Sequence, residues 1–353
     1  MPWITREIRS TLEALSRQKP VLLLTGCRQS GKTSLLERAF SDCGFVSLDL
    51  PATAEQADNS GEQFLATHPP PHIIDEVQYA PRLFRYLKHA VDRRRDVPGQ
   101  YLLTGSQKFP LMAGVSESLA GRVVVLELHP LSLREIETAR GDEIDRSQLL
   151  QLMFVGGYPE LHAKHLEPQR FYSDYIATYL ERDVRQALQV RSLRDFDRFL
   201  RLCAARSGQL LSMNSLASDV GVSSNTVRSW LSVLEASGIV MLLAPYYRNL
   251  GKRLVKTPKL YFLDTGLACS LLGVRRAADL AASALLGPMF ETLVLGQIVR
   301  WFTNRGLSPN VYFYRDHYGV EVDFVIPVAD RLKLIECKWS ETPGIPKGFE
   351  QLQ

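Results

Sequence analysis

Two short segments of the chain carry residue types that serve phosphoryl transfer. The first, GCRQSGKT from Gly26 to Thr33, follows the apolar run Val21–Thr25 and precedes a helical pattern. It fits GxxxxGK[ST], in which glycines let backbone N–H groups point at phosphate oxygens and the helix N-terminus adds positive charge. Lys32 would reach the β- and γ-phosphates of ATP, and the Thr33 hydroxyl would bind Mg²⁺. The predicted nucleotide-binding residues are Gly26, Cys27, Arg28, Gln29, Ser30, Gly31, Lys32, Thr33 and Ser34.

The second segment is HIIDE, an apolar run that ends in two acids. Asp75 would hold the magnesium ion through water, and Glu76 would act as general base on the attacking water. An acid pair at a strand end is also a common surface feature. The phosphate loop upstream favours the catalytic interpretation.

Two further residues have two interpretations each. Ser106, at the end of the run Tyr101–Thr104, would orient the γ-phosphate, or it is only a polar exit from a strand. Arg122 stands just before the run Val123–Leu128. It would act as an arginine finger on a neighbouring subunit's nucleotide, or it is a salt-bridged arginine at a helix end.

These residues need a parallel sheet to bring them together. In the first third of the chain, apolar runs alternate with helical patterns, which is typical of an α/β domain. From Pro130 to about Arg206 the strand signals vanish, and helical periodicity dominates. The five predicted strands are Val21–Thr25, Phe45–Leu48, His72–Ile74, Gln100–Thr104 and Val123–Leu128.

Composition sets the broad class of the protein. The 353 residues suffice for two or three domains, and 45% hydrophobic with 23% charged residues is an ordinary globular composition. The apolar runs are far shorter than the ~20 residues of a membrane-spanning helix, so no membrane partner is expected. The five cysteines form no Cys-x-x-Cys pair, which favours a reducing cytoplasm over a disulfide framework or a zinc site.

A candidate DNA-binding module follows the helical region. A helix over Ser212–Val220, a turn and a helix from Ser223 to Ser237 predict a helix-turn-helix, with Ile239–Ala244 and Lys259–Leu263 pairing as a wing. The net charge of +4 is modest, but the basic segment Arg248–Lys259 carries five cations, Lys259 among them, and no acid. A role in packing or oligomer contacts is the alternative. The candidate DNA contacts are Asn225, Thr226, Arg228, Arg248, Lys252, Arg253 and Lys256.

The C-terminal part carries three acids and a lysine on neighbouring predicted elements. Asp323 and the pair Glu336 and Lys338 lie on two adjacent predicted strands, Glu321–Ile326 and Lys333–Cys337. Glu291 lies on the preceding helix. This arrangement resembles the PD-(D/E)XK nuclease superfamily. The resemblance implies that the acids bind Mg²⁺ and that Lys338 orients or activates water. Degenerate members of that superfamily bind without cutting, and a helix and a strand are expected after Lys338.

Besides the phosphate loop, six segments carry a family resemblance: IIDE, LLTGS, SLAGR, Pro130–Glu135 (PLSLRE), Gly156–Glu160 (GGYPE) and Tyr179–Val184 (YLERDV). They resemble AAA-type ATPases, and more narrowly a prokaryotic family in which such a core precedes a domain of unknown function. This resemblance implies an α/β fold with a P-loop AAA-type core over residues 1–129 and a helical lid over 130–205. It also implies a winged helix-turn-helix over 206–265 and a restriction-endonuclease-like α/β domain over 284–353.

We therefore expect a cytoplasmic, Mg²⁺-dependent ATPase that remodels or translocates on DNA as a homo-oligomer. Two alternatives stay open. One is a nucleotide-controlled DNA nuclease. The other is an ATP-dependent regulatory switch that binds a protein partner.

Overall fold

The computed structural model describes residues 3–106, 118–180, 192–246, 257–316, 318–340, 344 and 348–349; the side chains of residues 179 and 180 are also outside this description. The chain forms two compact units. The N-terminal unit comprises residues 2–131 with 303–307, and the C-terminal unit comprises residues 132–302 and 308–353. None of the described helices has the length and apolar character that spanning a membrane requires.

The N-terminal unit is built on a sheet of five parallel strands in the order β2-β3-β4-β1-β5. Every strand lies within one residue of a predicted strand at each end, so the sequence-based prediction of a parallel α/β sheet is confirmed. The strands are β1 (Val21–Thr25), β2 (Gly44–Ser47), β3 (His72–Asp75), β4 (Tyr101–Gly105) and β5 (Val123–Glu127).

Helices cover this sheet. The helix α5 shows why: Leu83, Phe84, Leu87 and Val91 are all buried, and their i, i+4 spacing puts them on one face. Each such apolar side chain contributes roughly 2 kcal/mol when it leaves water. The helices of this unit are α1 (Arg9–Ser16), α2 (Lys32–Ala39), α3 (Pro51–Asn59), α4 (Gly61–Thr67) and α5 (Leu83–Asp92).

Because all five strands are parallel, their carboxyl ends meet at one edge of the sheet. Along β2 and β3, Ser47 lies opposite Asp75, and along β1 and β4, Thr25 lies opposite Gly105. The loop that follows Thr25 therefore reaches the same edge as the acids that end β3.

The C-terminal unit begins with helices and continues with two small sheets. Its helices are α6 (Leu133–Arg140), α7 (Arg146–Val155), α8 (Pro159–Lys164), α9 (Pro168–Tyr175), α10 (Leu193–Ala205), α11 (Met213–Val220), α12 (Ser224–Ala236), α13 (Thr265–Leu271), α14 (Ala277–Ala281) and α15 (Leu286–Thr303), with a π-helical turn at Ile176–Leu180.

Both sheets of this unit have three antiparallel strands. The first has the order β6-β8-β7 and the second the order β11-β10-β9. The predicted pairing of the two strands of a hairpin after α12 is confirmed by β7 and β8. The strands are β6 (Gln209–Leu210), β7 (Val240–Leu243), β8 (Lys259–Phe262), β9 (Tyr312–Arg315), β10 (Glu321–Val328) and β11 (Arg331–Ile335).

Two local features of the second sheet matter for its carboxylates. The β10–β9 register shifts between Val322 and Val325, so Asp323 sits in a bulge, a feature that re-aims side chains. The predicted C-terminal boundary of the strand Lys333–Cys337 is wrong, because β11 ends at Ile335. There the backbone N–H of Cys337 donates to the Asp323 carboxylate (2.8 Å), instead of continuing the ladder.

The GGYPE segment has a structural role in the C-terminal unit. The buried Asp264 accepts hydrogen bonds from Gly157 N (2.8 Å), Tyr172 Oη (2.8 Å) and Leu267 N (3.0 Å). At Gly156 (φ 78°), a Cβ would lie 2.1 Å from Tyr172 Oη. Only glycine fits this close approach, which explains one position of the motif without any catalytic role.

Candidate active site

The loop between β1 and α2 is shaped by its glycines and by close contacts. Gly31, in the left-handed region at φ 90°, begins α2. A Cβ on Gly26 would lie 2.1 Å from the carbonyl oxygen of Leu128, so no larger residue fits there. The buried guanidinium of Arg6 donates to Ser30 O at 2.7 Å and ties the loop to the N-terminal segment. The curled backbone that the motif predicts is therefore held from several sides.

Lys32 is 5% exposed and lies within this loop. Its ammonium donates to the carbonyl oxygens of Gly26 (3.1 Å) and Cys27 (2.9 Å). Burial lowers the pKa of Lys32 from its ordinary value, against the opposing field of Glu76. Lys32 is thus a buried cation that donates to two carbonyl oxygens, and a phosphate would replace these contacts with stronger charge-assisted bonds.

Asp75 is the centre of a network of hydroxyl groups. Its carboxylate accepts from Thr33 Oγ1 at 2.7 Å and Thr104 Oγ1 at 2.5 Å on one oxygen, and from Ser47 Oγ at 3.3 Å on the other. Asp75 is only 4% exposed. The hydroxyl predicted to bind Mg²⁺ and the acid predicted to hold it are therefore in direct contact. Both supply the hard oxygen ligands that Mg²⁺ takes.

Glu76 has an unusual backbone conformation. Its φ of 54° lies in the left-handed region, which is rare for a residue other than glycine and costs about 1–3 kcal/mol. The strained conformation is held by its N–H, which donates to Thr104 Oγ1 at 3.0 Å. Its carboxylate accepts from Ser106 Oγ (3.2 Å) and from Gln78 Nε2. Glu76 thus leaves the line of the strand directly after Asp75. Its carboxylate has hydrogen-bond partners that differ from those of Asp75.

Three residues at this edge were not among the predicted site residues. Thr104 and Ser47 hold Asp75, and Asp49 lies just beyond β2. Burial raises the pKa of Asp49, with Glu76 and Asp75 adding to the shift. A hydroxyl inside the apolar run YLLTG was the available signal for Thr104. Nothing in the sequence indicates that β2 lies next to β3, which is what brings Ser47 to Asp75.

Family comparisons agree with this geometry. The family described as an AAA domain matches residues 18–137, which include β1, the phosphate loop, Asp75, Glu76 and Ser106. Two families described as domains of unknown function, DUF8612 and DUF4143, match residues 146–278 and 286–353. The N-terminal unit thus carries the core of an AAA-type P-loop ATPase, as the sequence motifs predict.

Two mycobacterial proteins are similar to this chain over nearly its whole length. The uncharacterized protein Rv2008c of Mycobacterium tuberculosis (strain ATCC 25618 / H37Rv) is 34% identical over 98% of this chain and 76% of its own length. The uncharacterized protein Mb2031c of Mycobacterium bovis gives the same figures. The chain belongs to this family of AAA-domain proteins. An uncharacterized protein of Haemophilus influenzae is 24% identical over 75% of the chain and 64% of its own length.

Solved structures show more distant likenesses. The Walker-type ATPase PABY2304 of Pyrococcus abyssi covers 76% of this chain and 96% of its own, with 17% identity and a TM-score of 0.49. The RuvB Holliday junction branch migration motor of Thermotoga maritima covers 68% of this chain and 90% of its own, with 18% identity and a TM-score of 0.36.

In the AAA core, Arg122 lies at the amino-terminal ends of the parallel strands, whereas the phosphate loop lies at their carboxyl ends. Val21 and Val123 are paired at the start of parallel strands, and Arg122 O accepts from Val21 N (3.2 Å). A strand of this length separates it by roughly 15 Å from the loop of its own chain. Its guanidinium forms a bidentate pair with Asp92 (2.6 and 2.9 Å). The role as a finger stays a prediction, and it requires the nucleotide of another copy.

The helices predicted to contact DNA lie where the sequence places them. Ser223 caps α12 by accepting from Thr226 N (3.1 Å), and the core positions Val227 and Leu231 are buried. Asn225 and Arg228 are exposed near the start of α12, and Thr226 is half-buried. The other predicted contacts, Arg248, Lys252, Arg253 and Lys256, lie outside the described residues.

The sequence places Lys259 in a basic segment that is expected to contact phosphates, but the structure buries this residue. It is 2% exposed, and its ammonium binds the carboxylates of Glu291 (3.0 Å) and Glu321. Tyr261 Oη also donates to Glu291. Burial alone would lower the pKa of Lys259, but the two carboxylates outweigh it and raise the pKa. Lys259 is therefore not available to phosphates, and Glu291 is engaged by an internal cation.

The remaining predicted nuclease-like residues lie close to one another. Lys338 Nζ is 2.8 Å from Glu336 Oε1, although both residues follow β11 instead of lying on it. Glu336 Oε2 is buried and has no hydrogen-bond partner among the described residues. The described residues contain no group of three or more acids, histidines or cysteines placed to hold a metal ion. Burial, reinforced by Glu291, raises the pKa of Asp323 to about 6.

Proposed function

We propose that this protein is a Mg²⁺-dependent ATPase that remodels or translocates on DNA as a homo-oligomer in the cytoplasm. One observation carries the ATPase part: the Thr33 hydroxyl lies 2.7 Å from Asp75 Oδ1, at the end of a loop that holds a buried lysine. This contact joins two motifs that are 42 residues apart in the sequence.

The residues present fit a magnesium ion. Thr33 and Asp75 would hold it, and the ion would supply positive charge between the β- and γ-phosphates. Lys32 exchanges its two carbonyl partners for phosphate oxygens, and the backbone N–H groups of the loop and of the start of α2 bind the phosphates. The left-handed turn at Glu76 holds its carboxylate beside Asp75, where it takes a proton from the attacking water. Ser106, hydrogen-bonded to Glu76, would orient that carboxylate or the γ-phosphate.

The DNA part rests on the C-terminal unit. An exposed Asn225 and Arg228 at the start of a helix that packs its other face inward favour a recognition helix, and β7 and β8 would form the wing. We accordingly assign residues 1–129 to the ATPase core, 130–205 to a helical lid, 206–265 to a winged helix-turn-helix and 284–353 to a nuclease-like domain. Arg122 would complete the site of a neighbouring copy.

The test is the steady-state rate of ATP hydrolysis with and without single-stranded, duplex and branched DNA, with Lys32→Ala as the blank. We expect one DNA form to stimulate turnover. High salt and Arg228→Glu should both remove this stimulation, because phosphate contacts release counterions. Arg275→Glu, an exposed arginine after α13, is the matched control. A rate of ATP hydrolysis that no form of DNA changes would contradict the DNA-dependent part of the proposal. It would favour a switch that binds a protein partner.

A nucleotide-controlled nuclease is the second candidate. The bulge at Asp323 and the buried Glu336 Oε2, which has no hydrogen-bond partner in the described part of the chain, favour it. Asp323 and Glu336 would hold a metal ion, with Glu291 as a third ligand only if it leaves Lys259, and Lys338 would orient water. Supercoiled plasmid with Mg²⁺ or Mn²⁺ is the assay. We expect nicking that Asp323→Ala abolishes while ATP turnover persists; nicking equal in wild type and Asp323→Ala would rule this site out.

A further inference from the structure

A basic groove crosses the N-terminal unit on the face formed by α4, α5 and the segment after α5. It consists of two cavities of about 440 and 610 Å³ that share Arg85 and His89. The smaller cavity also contains Lys88, and the larger one contains Arg93 and Arg94. We use the term basic groove for the surface lined by these five residues.

Two acids also line the basic groove. Of these, Asp92 already forms a bidentate pair with Arg122. Among the residues that the structure describes, Glu62 is therefore the one remaining lining acid that could offset the positive charge of the groove. In the described parts of the chain, no carboxylate lies within ion-pair distance of any of the lysine and arginine side chains of the groove: Arg85, Lys88, Arg93 and Arg94. The groove therefore carries an unbalanced positive charge, which focuses anions into a concave surface.

The helix dipole explains only some of the cations of the basic groove. Arg93 and Arg94 follow the end of α5, where positive charge complements the helix dipole. Arg85 lies in the first turn of the same helix, where the dipole disfavours a cation. Arg85 and Lys88 are three residues apart and share one helix face. A ligand with several negative charges would explain this arrangement from one end of α5 to the other.

An aromatic ring lies beside these cations. Tyr86 lines the larger cavity and is 37% exposed. Its ring rests on the backbone of Gly61, where a Cβ would lie 2.3 Å from Tyr86 Cδ2. The ring is thus fixed from below and open to the groove. A fixed aromatic face among arginines is the combination that binds stacked bases and phosphates of a single strand.

We propose that the basic groove binds single-stranded DNA, with its phosphates on Arg85, Lys88, Arg93 and Arg94 and a base on Tyr86. Each cavity has the volume of a small-ligand site, which suits a single nucleotide, and Tyr86 offers a face on which an unpaired base stacks. The proposal rests on the proposed function in taking DNA as the ligand, but it concerns the ATPase unit and not the predicted recognition helix.

The experiment measures binding of a labelled oligothymidylate of about 20 nucleotides to the full chain by fluorescence anisotropy at several salt concentrations. The groove variant is Arg93→Glu with Arg94→Glu. The matched control is Arg17→Glu with Arg275→Glu, which makes the same charge change at exposed arginines elsewhere. The milder pair Arg93→Gln and Arg94→Gln and the variant Tyr86→Ala guard against a local folding defect, and the melting temperature is recorded for each.

We expect the groove variant to lose at least about tenfold in affinity and to flatten the salt dependence by about 1.4 in slope, because two phosphate contacts disappear. Tyr86→Ala should lose about tenfold without a change in that slope. The control pair should bind like wild type, and ATP turnover without DNA should be unchanged in all variants.

Equal losses in the groove variant and the control pair would overturn the proposal, as would wild-type affinity in the groove variant. Displacement of the oligothymidylate by polyglutamate of similar length would also overturn it, in favour of an acidic protein partner. Failure of the proposed function has a separate signature, read on the same samples: duplex DNA binding that is unaffected by Arg228→Glu.

Discussion

The two carboxylate clusters of this molecule differ in what compensates their charge. In the N-terminal unit, Asp75 receives hydrogen bonds from the hydroxyls of Thr33, Thr104 and Ser47. In the C-terminal unit, Glu291 and Glu321 bind the buried ammonium of Lys259. The first cluster lies at the edge of a sheet and the second between two strands and a helix, and both pair acids with residues distant in sequence.

This difference indicates which cluster is prepared for a ligand. Hydroxyl donors orient a carboxylate and leave it charged, so Asp75 can still bind a cation brought by ATP. In the other cluster an internal ammonium already binds the carboxylates, and removing it leaves Glu291 without that counter-charge. We infer that the first cluster is organised for chemistry and that Glu291 and Glu321 mainly join strands β8 and β10 to helix α15.

The largest expected effect is on ATP turnover. Lys32→Ala should lower turnover by about a thousandfold, because the buried cation that meets the phosphates is lost. Lys338→Ala removes the lysine that pairs with Glu336 in the C-terminal unit and should leave turnover unchanged. Phosphate release at saturating ATP and Mg²⁺ measures both variants. Equal losses would show that the two units are not functionally distinct in ATP turnover.

The next effect is on stability. Lys259→Met should destabilise the C-terminal unit by about 2 kcal/mol, because the half-buried carboxylates of Glu291 and Glu321 lose their shared buried ammonium, although Glu321 keeps Arg315 at 3.3 Å. Lys164→Met breaks an exposed pair with Glu160 and should cost less than about 1 kcal/mol. Hydrogen exchange of the amides of β8 and β10 reports the difference. The same small loss in both variants would contradict a structural role for Lys259.

Thr104→Val should have an intermediate effect on chemistry. The change removes the hydroxyl that bonds both Asp75 and the Glu76 backbone, and we expect turnover to fall about tenfold with a raised Mg²⁺ requirement. Thr11→Val, which removes a hydroxyl bonded to Asn304 O, is the matched control. The interpretation fails if the two variants lose stability alike and neither changes the Mg²⁺ dependence.

The smallest effect is a pH dependence. The pKa of Asp323 is raised to about 6 in the folded chain, above its unfolded value of about 4. The folded state therefore holds the extra proton, and this stabilisation is lost as pH rises from about 4 through 6. Asp323→Asn should flatten that fall and stabilise the C-terminal unit at neutral pH by about 1 kcal/mol. A stability profile identical to wild type between these values would show that Asp323 titrates normally.

Much of the N-terminal unit follows from local patterns. The five strands, the loop and the acids at the end of β3 are encoded by short runs whose period and turn residues suffice to place them. Thr104 left one signal, a hydroxyl inside an apolar run, whereas Ser47 could not be predicted, because its role depends on the order of strands in the sheet. A side chain such as Ser47 has no signal of its own until β2 lies beside β3.

The C-terminal unit shows the other limit. Lys259 belongs by sequence to a basic segment, yet it is buried by residues 32 and 62 positions away. The end of β11 was also misplaced, because the Asp323 carboxylate takes the N–H of Cys337 from the strand ladder. Both outcomes depend on long-range contacts between acids and donors, which alternation of apolar residues does not encode.

The central claim is that the acids at the end of β3 hydrolyse ATP. Its most direct test measures nucleotide binding and phosphate release on the same samples of wild type and Glu76→Gln, with the exposed Glu55→Gln as control. We predict that Glu76→Gln binds ATP within about twofold of wild type and releases phosphate at least about a hundredfold more slowly, because a positioned base is lost. Wild-type turnover in Glu76→Gln would contradict the account.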